Sequence, residues 1–173
     1  VSGRLVALFL VLTAAVAGGA LWWLQVHAFY EELDPAAVEI RLTPRGGGAP
    51  EPIPAEVSRA IDAESSPIRF RACFATPETA EGLAARFTPY PDAVPLNAPG
   101  WFECFDAAAI GAALADGRAQ AFLGEENLVY GIDRVVAVDG EGRGWAWTQI
   151  NACGERVFDG DPPPPGCPTP PAD

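Results

Sequence analysis

The residues with the most evident chemistry are four cysteines: Cys73, Cys104, Cys153 and Cys167. An even number of cysteines beyond an apolar N-terminal segment is typical of disulfides formed in an oxidising compartment. None lies in a C-x-x-C motif, which argues against thioredoxin-like, haem-attachment and paired zinc sites. Of the three possible pairings we favour Cys73–Cys104 and Cys153–Cys167, because the second would close the Pro-rich tail onto the preceding strand. One zinc ion held by all four thiolates is the alternative.

The single histidine, His27, lies at the end of the apolar N-terminal segment. This position excludes Ser-His-Asp and Cys-His arrangements within the downstream domain, and it excludes a histidine metal site there. We interpret His27 as a polar residue at a membrane boundary. Ligation of a tetrapyrrole is the alternative.

Carboxylates are abundant, and two pairs, Glu103 with Asp106 and Asp133 with Asp159, are conceivable glycosidase couples. That chemistry depends on the separation of the carboxyl groups, which a sequence does not supply, and the chain has 23 acidic residues to choose from. The glycines after Arg45 lack the G-K-[ST] ending of a phosphate loop. We therefore expect no catalytic residues, no metal and no cofactor.

The charge is distributed unevenly along the chain. All eleven basic residues are arginines, only Arg4 precedes Val26, and every acidic residue lies at or beyond Glu31. The part from Glu31 onward therefore carries ten arginines and 23 acidic residues, a net charge of −13. This charge argues against nucleic-acid binding and against docking of the domain on anionic lipid, and it favours solubility or attraction of basic partners.

The segment from Leu5 to Tyr30 contains no charged residue if His27 is neutral. A membrane span needs about 20 such residues, whereas the apolar region of a secretory signal has about 7–15. Ala-Val-Ala at 15–17 resembles a cleavage site, but the apolar run continues beyond it. We predict an uncleaved anchor whose interfacial residues are Trp22, Trp23, His27 and Tyr30.

Small residues within this span favour close packing against another helix. Two small-x-x-x-small pairs are present, Ala14 with Gly18 and Ala15 with Gly19. Arginines flank the span on both sides, so the positive-inside rule hardly favours either orientation. The cysteines, which indicate an oxidising compartment, therefore decide the orientation. We expect a bacterial inner-membrane protein with a cytoplasmic N-terminus and a periplasmic domain.

The sequence divides into an anchor with its interfacial belt (1–33), a linker with a possible short strand (34–60) and an α+β domain with a Pro-rich tail (61–173). Alternation predicts strands at 66–75, 119–123, 127–138 and 143–151, the last two joined by the turn Asp139–Gly142. Helices are predicted from Thr76 to about Phe87 and after the capping residue Asp106 as far as Gly117. The order favours a mostly antiparallel sheet with two helices.

Two aromatic residues and two arginines form a candidate docking set: Trp101, Phe102, Arg69 and Arg71. Large aromatics anchor interfaces, and arginines pair with acidic partners. The competing interpretation is that the aromatics, like Tyr90, Trp145 and Trp147, fill the core and that the arginines are solvated. We favour the competing interpretation.

The stretches IRFRACF, LNAPGWFECFDA, IDRVVAV and INACGE resemble an uncharacterised alphaproteobacterial family of single-span, membrane-anchored proteins, a domain of unknown function. The resemblance covers nearly the whole chain. It implies that the N-terminal span and the four cysteines are general features of the family, and it brings no catalytic residues.

We expect a non-catalytic accessory subunit of a larger integral membrane complex, in a respiratory or photosynthetic electron-transfer assembly. Its acidic domain would stabilise the complex or help to dock a basic soluble electron carrier. The alternative is a membrane-anchored assembly or quality-control factor that binds its partners transiently. A membrane-tethered hydrolase that uses carboxylates ranks last.

Overall fold

A long helix begins the structure, which is a computed structural model that describes residues 2–171. Val1 of the predicted anchor and residues 172–173 of the predicted domain lie outside that range. Helix α1 spans Gly3–Trp23 and continues as a π-helical turn over Leu24–Ala28. The continuous helix Gly3–His27 is long and apolar enough to cross a membrane. A signal sequence near the N-terminus can have the same length and apolar composition.

Within the described residues, the domain that follows contains eight strands, three further α-helices and a short 3-10 helix at Pro35–Ala37. The strands are β1 (Glu31–Leu33), β2 (Arg41–Leu42), β3 (Glu51–Pro52), β4 (Glu56–Asp62), β5 (Arg71–Ala75), β6 (Ala119–Val129), β7 (Ile132–Asp139) and β8 (Arg143–Ile150). The helices are α2 (Ala80–Arg86), α3 (Ala107–Ala115) and α4 (Ala152–Phe158). The predicted α+β class with a mostly antiparallel sheet is confirmed.

Six strands form one antiparallel sheet in the order β1-β4-β5-β8-β7-β6, and β2 with β3 forms a separate hairpin. The sheet has a hydrophobic cluster on each face. One cluster packs the sheet against β2, β3 and α2, and includes Leu42, Leu83 and Phe122. The other packs it against α3 and the loop before α3, and includes Phe102 and Trp147. Because both faces are covered, side chains on either side of a central strand are buried.

The segment 34–60, expected to be a linker, contributes to the fold. Ile40, Leu42 and Ile53 are buried in the first cluster, and β4 pairs with both β1 and β5. The glycines at 46–48 form the turn of the β2–β3 hairpin, where Gly47 and Gly48 adopt positive φ angles. The Gly- and Pro-rich composition therefore marks a turn between two short strands, of which β2 buries Leu42 while both residues of β3 are exposed.

Two predicted elements begin later than expected. Strand β5 starts at Arg71 instead of residue 66, because residues 63–70 form the connection from β4. Helix α2 is capped by Thr79, whose Oγ1 accepts from the amide of Gly82, and not by Thr76. The buried Thr76 hydroxyl donates instead to the carbonyl of Pro54, at 2.7 Å.

The strand predicted over 127–138 is interrupted. Strand β6 extends to Val129, and a two-residue turn at Tyr130–Gly131 leads into β7. Gly131 has a φ of +79°, and a Cβ there would lie 2.5 Å from the Cα of Gly154 in α4. The turn at Gly131 therefore packs closely against α4. Helix α4 was not predicted from the sequence.

Both disulfides have the pairing favoured from the sequence. Cys73–Cys104 joins β5 to the loop before α3, and Cys153–Cys167 joins α4 to the Pro-rich tail. With all four sulfurs in disulfides, the alternative of a four-thiolate zinc site does not describe this structure. The hairpin turn at 139–142, the Asp106 cap and the helix end at Gly117 are confirmed.

Candidate functional site at the junction of helix and domain

The junction is the place where the end of the N-terminal helix meets the domain, and its centre is His27. The centroid of the imidazole ring lies 4.7 Å from that of Trp23, 5.4 Å from that of Trp22 and 6.1 Å from that of Trp101. The Trp101 ring is nearly parallel to it, with an interplanar angle of 16°. His27 lies within the π-helical turn Leu24–Ala28, whose hydrogen bonds run from i to i+5 and so span one residue more than those of an α-helix.

Trp101 holds the helix end by a hydrogen bond as well as by stacking. Its indole Nε1 donates to the carbonyl of Val26 at 2.8 Å. That carbonyl is among those that a helix terminus leaves without an intrahelical partner. Trp101 also makes an edge contact with Tyr30, 6.2 Å between centroids. The loop before α3 therefore fixes the last turn of the helix.

The chain leaves the helix directly into the sheet. Strand β1 begins at Glu31 and pairs with β4, so only Phe29 and Tyr30 separate the helix end from hydrogen-bonded strand. The carboxylate of Glu32 in β1 pairs with Arg59 of β4 at 2.8 Å. The guanidinium of Arg59 also lies 5.0 Å from the ring centroid of Phe102. These contacts leave no flexible linker between helix and domain.

A second arginine, Arg69, reaches the junction from the β4–β5 connection. Its guanidinium lies 5.3 Å from the ring centroid of Tyr30 and 5.9 Å from that of Phe29. It forms no ion pair within residues 2–171, and its Nη1 atom is buried without a hydrogen-bond partner. Arg69 thus presents an uncompensated charge beside the aromatic residues that end the helix.

Two members of the predicted docking set are not available to a partner. Phe102 is 1% exposed and belongs to the core. Arg71 is 3% exposed, so the expectation that it is solvated was wrong. Its guanidinium donates to the carbonyls of Ile68, Phe70, Leu96 and Asn97. Burial lowers the pKa of Arg71 to about 10, which leaves it charged at neutral pH.

The predicted helix-packing residues lie on an uncovered surface. Ala14, Ala15, Gly18 and Gly19 are exposed, and a Cβ added at either glycine would meet nothing within 4 Å. Trp22 and Trp23 are 58% and 57% exposed. The helix therefore presents apolar side chains and small residues that no described part of the chain covers.

One carboxylate of each pair named from the sequence, Asp133 and Asp106, accepts hydrogen bonds that stabilise the fold. Asp133 is buried, and its carboxylate accepts from the Tyr90 hydroxyl, the Asn127 amide and the Asn151 side chain. Burial and the neighbouring Asp133 raise the pKa of Tyr90. Asp106 accepts from two backbone amides of α3. Within residues 2–171 no group of three or more His, Cys, Asp or Glu side chains is arranged to hold a metal ion.

Comparison with known proteins identifies the family of this chain. The profile of the Family of unknown function (DUF6446) matches residues 40–168, which is most of the chain. The chain belongs to this family. No curated protein and no solved structure matches it.

The part of the chain matched by the DUF6446 family contains the domain's share of the junction, namely Arg59, Arg69 and Trp101. The match begins after the helix and β1, so the helix is outside it. Both disulfides lie within the matched range.

Arg59 and the carbonyl of Val26 take part in the junction, and neither was predicted from the sequence. Arg59 lies in the segment assigned to a linker with a possible short strand, and that strand was not expected at the position of β4. The alternation in EVSRAID, which places Val57 and Ile61 among polar residues, is the signal that would have indicated β4. No sequence signal points to a backbone carbonyl such as that of Val26.

Proposed function

We propose that this chain is a membrane-anchored accessory subunit of a larger integral membrane complex. The helix would cross the bacterial inner membrane with its N-terminus in the cytoplasm, and the disulfide-bonded domain would lie in the periplasm. The observation that carries the proposal is the hydrogen-bonded junction at Trp101 and Val26, through which an uncovered apolar helix continues into the sheet.

The junction supports retention of the helix. The residues after the cleavage-like Ala15–Ala17 motif continue the same helix, and Val26 and His27 are half-buried against the domain. At 1.5 Å per residue, the 25 residues of Gly3–His27 extend about 37 Å, more than the hydrocarbon core of about 30 Å. Trp22, Trp23 and Tyr30 would then occupy the interfacial layer, where amphipathic rings are favoured.

A subunit role follows from rigidity together with exposure. A domain fixed to its anchor takes a defined position over a neighbour, whereas a flexible linker would let it reorient. The small-residue face at Ala14, Ala15, Gly18 and Gly19 would let a neighbouring helix approach closely. The acidic domain would contribute by stabilising the complex or by concentrating a basic soluble carrier at an electron-transfer assembly.

The test is gentle solubilisation of native membranes followed by native separation and mass spectrometry of the band that holds the full chain. Stoichiometric migration with one large integral complex is the expected result. Substoichiometric migration would favour the transient assembly or quality-control factor. Replacing Gly18 by Leu should release the chain from the complex, and Leu8→Phe, at an exposed position of the same helix, serves as the size-change control.

A further inference from the structure

We infer that Arg69 binds the phosphate of a membrane phospholipid headgroup, with Phe29 and Tyr30 as the aromatic side of the site. The inference rests on the proposed membrane anchoring and adds a ligand to the junction. It concerns the phosphate group itself, which anionic and zwitterionic phospholipids share.

The first observation is the unused bonding capacity of Arg69. A guanidinium has five N–H donors, and those of Arg69 have no carboxylate partner within 4 Å among residues 2–171. Its Nη1 is shielded from water and has no hydrogen-bond acceptor among residues 2–171, so the other Arg69 nitrogens are the donors that can face an external anion. The arginines of β5 and β4, Arg71 and Arg59, are bonded to backbone carbonyls and to Glu32 respectively. Arg69 is therefore the junction arginine left to bind an external anion.

The second observation is the position of Arg69 relative to the end of the helix, which sets its depth in the proposed membrane. The Phe29 and Tyr30 rings that Arg69 contacts follow directly on the helix that ends near Ala28. With the apolar part of that helix in the hydrocarbon, residues just beyond it lie at the level of the headgroups. A guanidinium matches the planar, bidentate geometry of a phosphate group.

The third observation is charge. The domain carries a net charge of −13, and Glu31, Glu32 and Asp34 immediately follow the helix. Acidic residues near a phospholipid surface are repelled by its phosphates. One arginine bound to a phosphate would offset part of this repulsion where the domain meets the surface, although the net charge of the domain argues against general docking on anionic lipid.

The experiment uses the full chain purified in detergent and titrated with dimyristoyl phosphatidylglycerol, with bound lipids counted by native mass spectrometry. Wild type should bind one lipid about fivefold more tightly than Arg69→Gln, the effect of one arginine at a membrane surface. Arg118→Gln, which removes an exposed arginine far from the junction, should bind like wild type. Arg69→Lys should retain part of the affinity.

Two further probes identify the source of the phosphate. Dimyristoylglycerol has the same chains without phosphate, and it should bind wild type and Arg69→Gln equally. Glycerol 3-phosphate at millimolar concentration should not displace the lipid. Displacement would contradict a lipid site and indicate a site for soluble phosphates. Near-ultraviolet circular dichroism and intact mass verify that each variant keeps its tryptophan packing and both disulfides.

Equal lipid affinity of wild type and Arg69→Gln would overturn the inference. Failure of the underlying anchor is distinguished by carbonate extraction of native membranes. A chain released by carbonate contradicts membrane anchoring itself, whereas a chain that stays in the membrane, with no effect of Arg69→Gln on lipid binding, contradicts the phosphate site alone.

Discussion

The indole nitrogen of Trp101 donates a 2.8 Å hydrogen bond to the backbone carbonyl of Val26, 75 residues earlier in the chain. This bond joins the loop before α3 to the last turn of the N-terminal helix. Together with the stacking of His27 on Trp101 and the pairing of β1 with β4, it makes helix and domain one continuous unit.

Replacing Trp101 by Phe should loosen the helix end without unfolding the domain. The substitution keeps a ring beside His27 but leaves the Val26 carbonyl without its donor, a loss of about 1 kcal/mol. Amides of residues 24–30 should then exchange with deuterium about fivefold faster, measured by hydrogen-exchange mass spectrometry. Trp145→Phe, which removes a comparable bond to the carbonyl of Cys104, should leave exchange in that segment unchanged. Unchanged exchange in Trp101→Phe would mean that the bond does not hold the junction.

Replacing Arg71 by Met should destabilise the domain strongly. The change leaves four carbonyls of the 68–70 and 96–97 segments without their donor, and we expect a loss of about 2–5 kcal/mol in the free energy of unfolding. Urea denaturation measures it. The control is Arg86→Met, whose exposed side chain pairs with Glu78 and should change stability by less than about 1 kcal/mol. A similar, small effect of both substitutions would contradict a structural role for Arg71.

The two disulfides should differ in their contribution. Removing Cys73–Cys104 by double alanine substitution should lower the free energy of unfolding by about 3–4 kcal/mol, because it closes a loop between buried parts of the domain. Removing Cys153–Cys167 should free the tail in the native state as well as in the unfolded state, so the two entropy changes largely cancel. Limited proteolysis should then cut residues 160–171 while the thermal midpoint changes little. A large drop in that midpoint would show that the tail is part of the cooperative unit.

Asp139 should make the stability of the domain sensitive to acid. Burial raises the pKa of its carboxyl, but hydrogen bonds from the Arg143 side chain and from the amides of Glu141 and Arg143 outweigh burial and hold the pKa below its usual value. A folded-state pKa below the unfolded value contributes stability above the unfolded pKa, near 4. That stability is lost as the pH falls through the folded pKa.

Asp139→Asn should therefore cost about 1–3 kcal/mol at pH 7 and progressively less below about pH 4. Urea denaturation from pH 7 to pH 3 compares the variant with wild type. Asp116→Asn, in an exposed ion pair with Arg118, is the control and should differ little from wild type at any pH. A difference between Asp139→Asn and wild type that is independent of pH would rule out this account of Asp139.

Elements defined by local signals were predictable from the sequence. The Asp106 side chain caps α3 and Gly117 ends it, and the glycines between Asp139 and Arg143 form a hairpin. Each of these features depends on residues within a few positions of one another, so the chemistry of the turn or cap is present in the local sequence.

Features that depend on distant partners were not predictable. Strand β4 exists because β1 and β5 lie on either side of it, and Arg71 is buried because loop 96–97 folds over the face that alternation suggested was open to solvent. Composition drew attention to the aromatic residues at the end of the helix, but the contact of His27 and Val26 with Trp101 joins positions about 75 residues apart. Sequence periodicity carries no information on such a contact.

The most direct test of the account is native separation of gently solubilised membranes, with mass spectrometry of the band that contains the full chain. We predict an intact chain that includes residues 1–30 and migrates in stoichiometric amount with one larger integral membrane complex. Recovery of a chain cleaved after Ala17, or of an intact chain that migrates alone, would contradict the account.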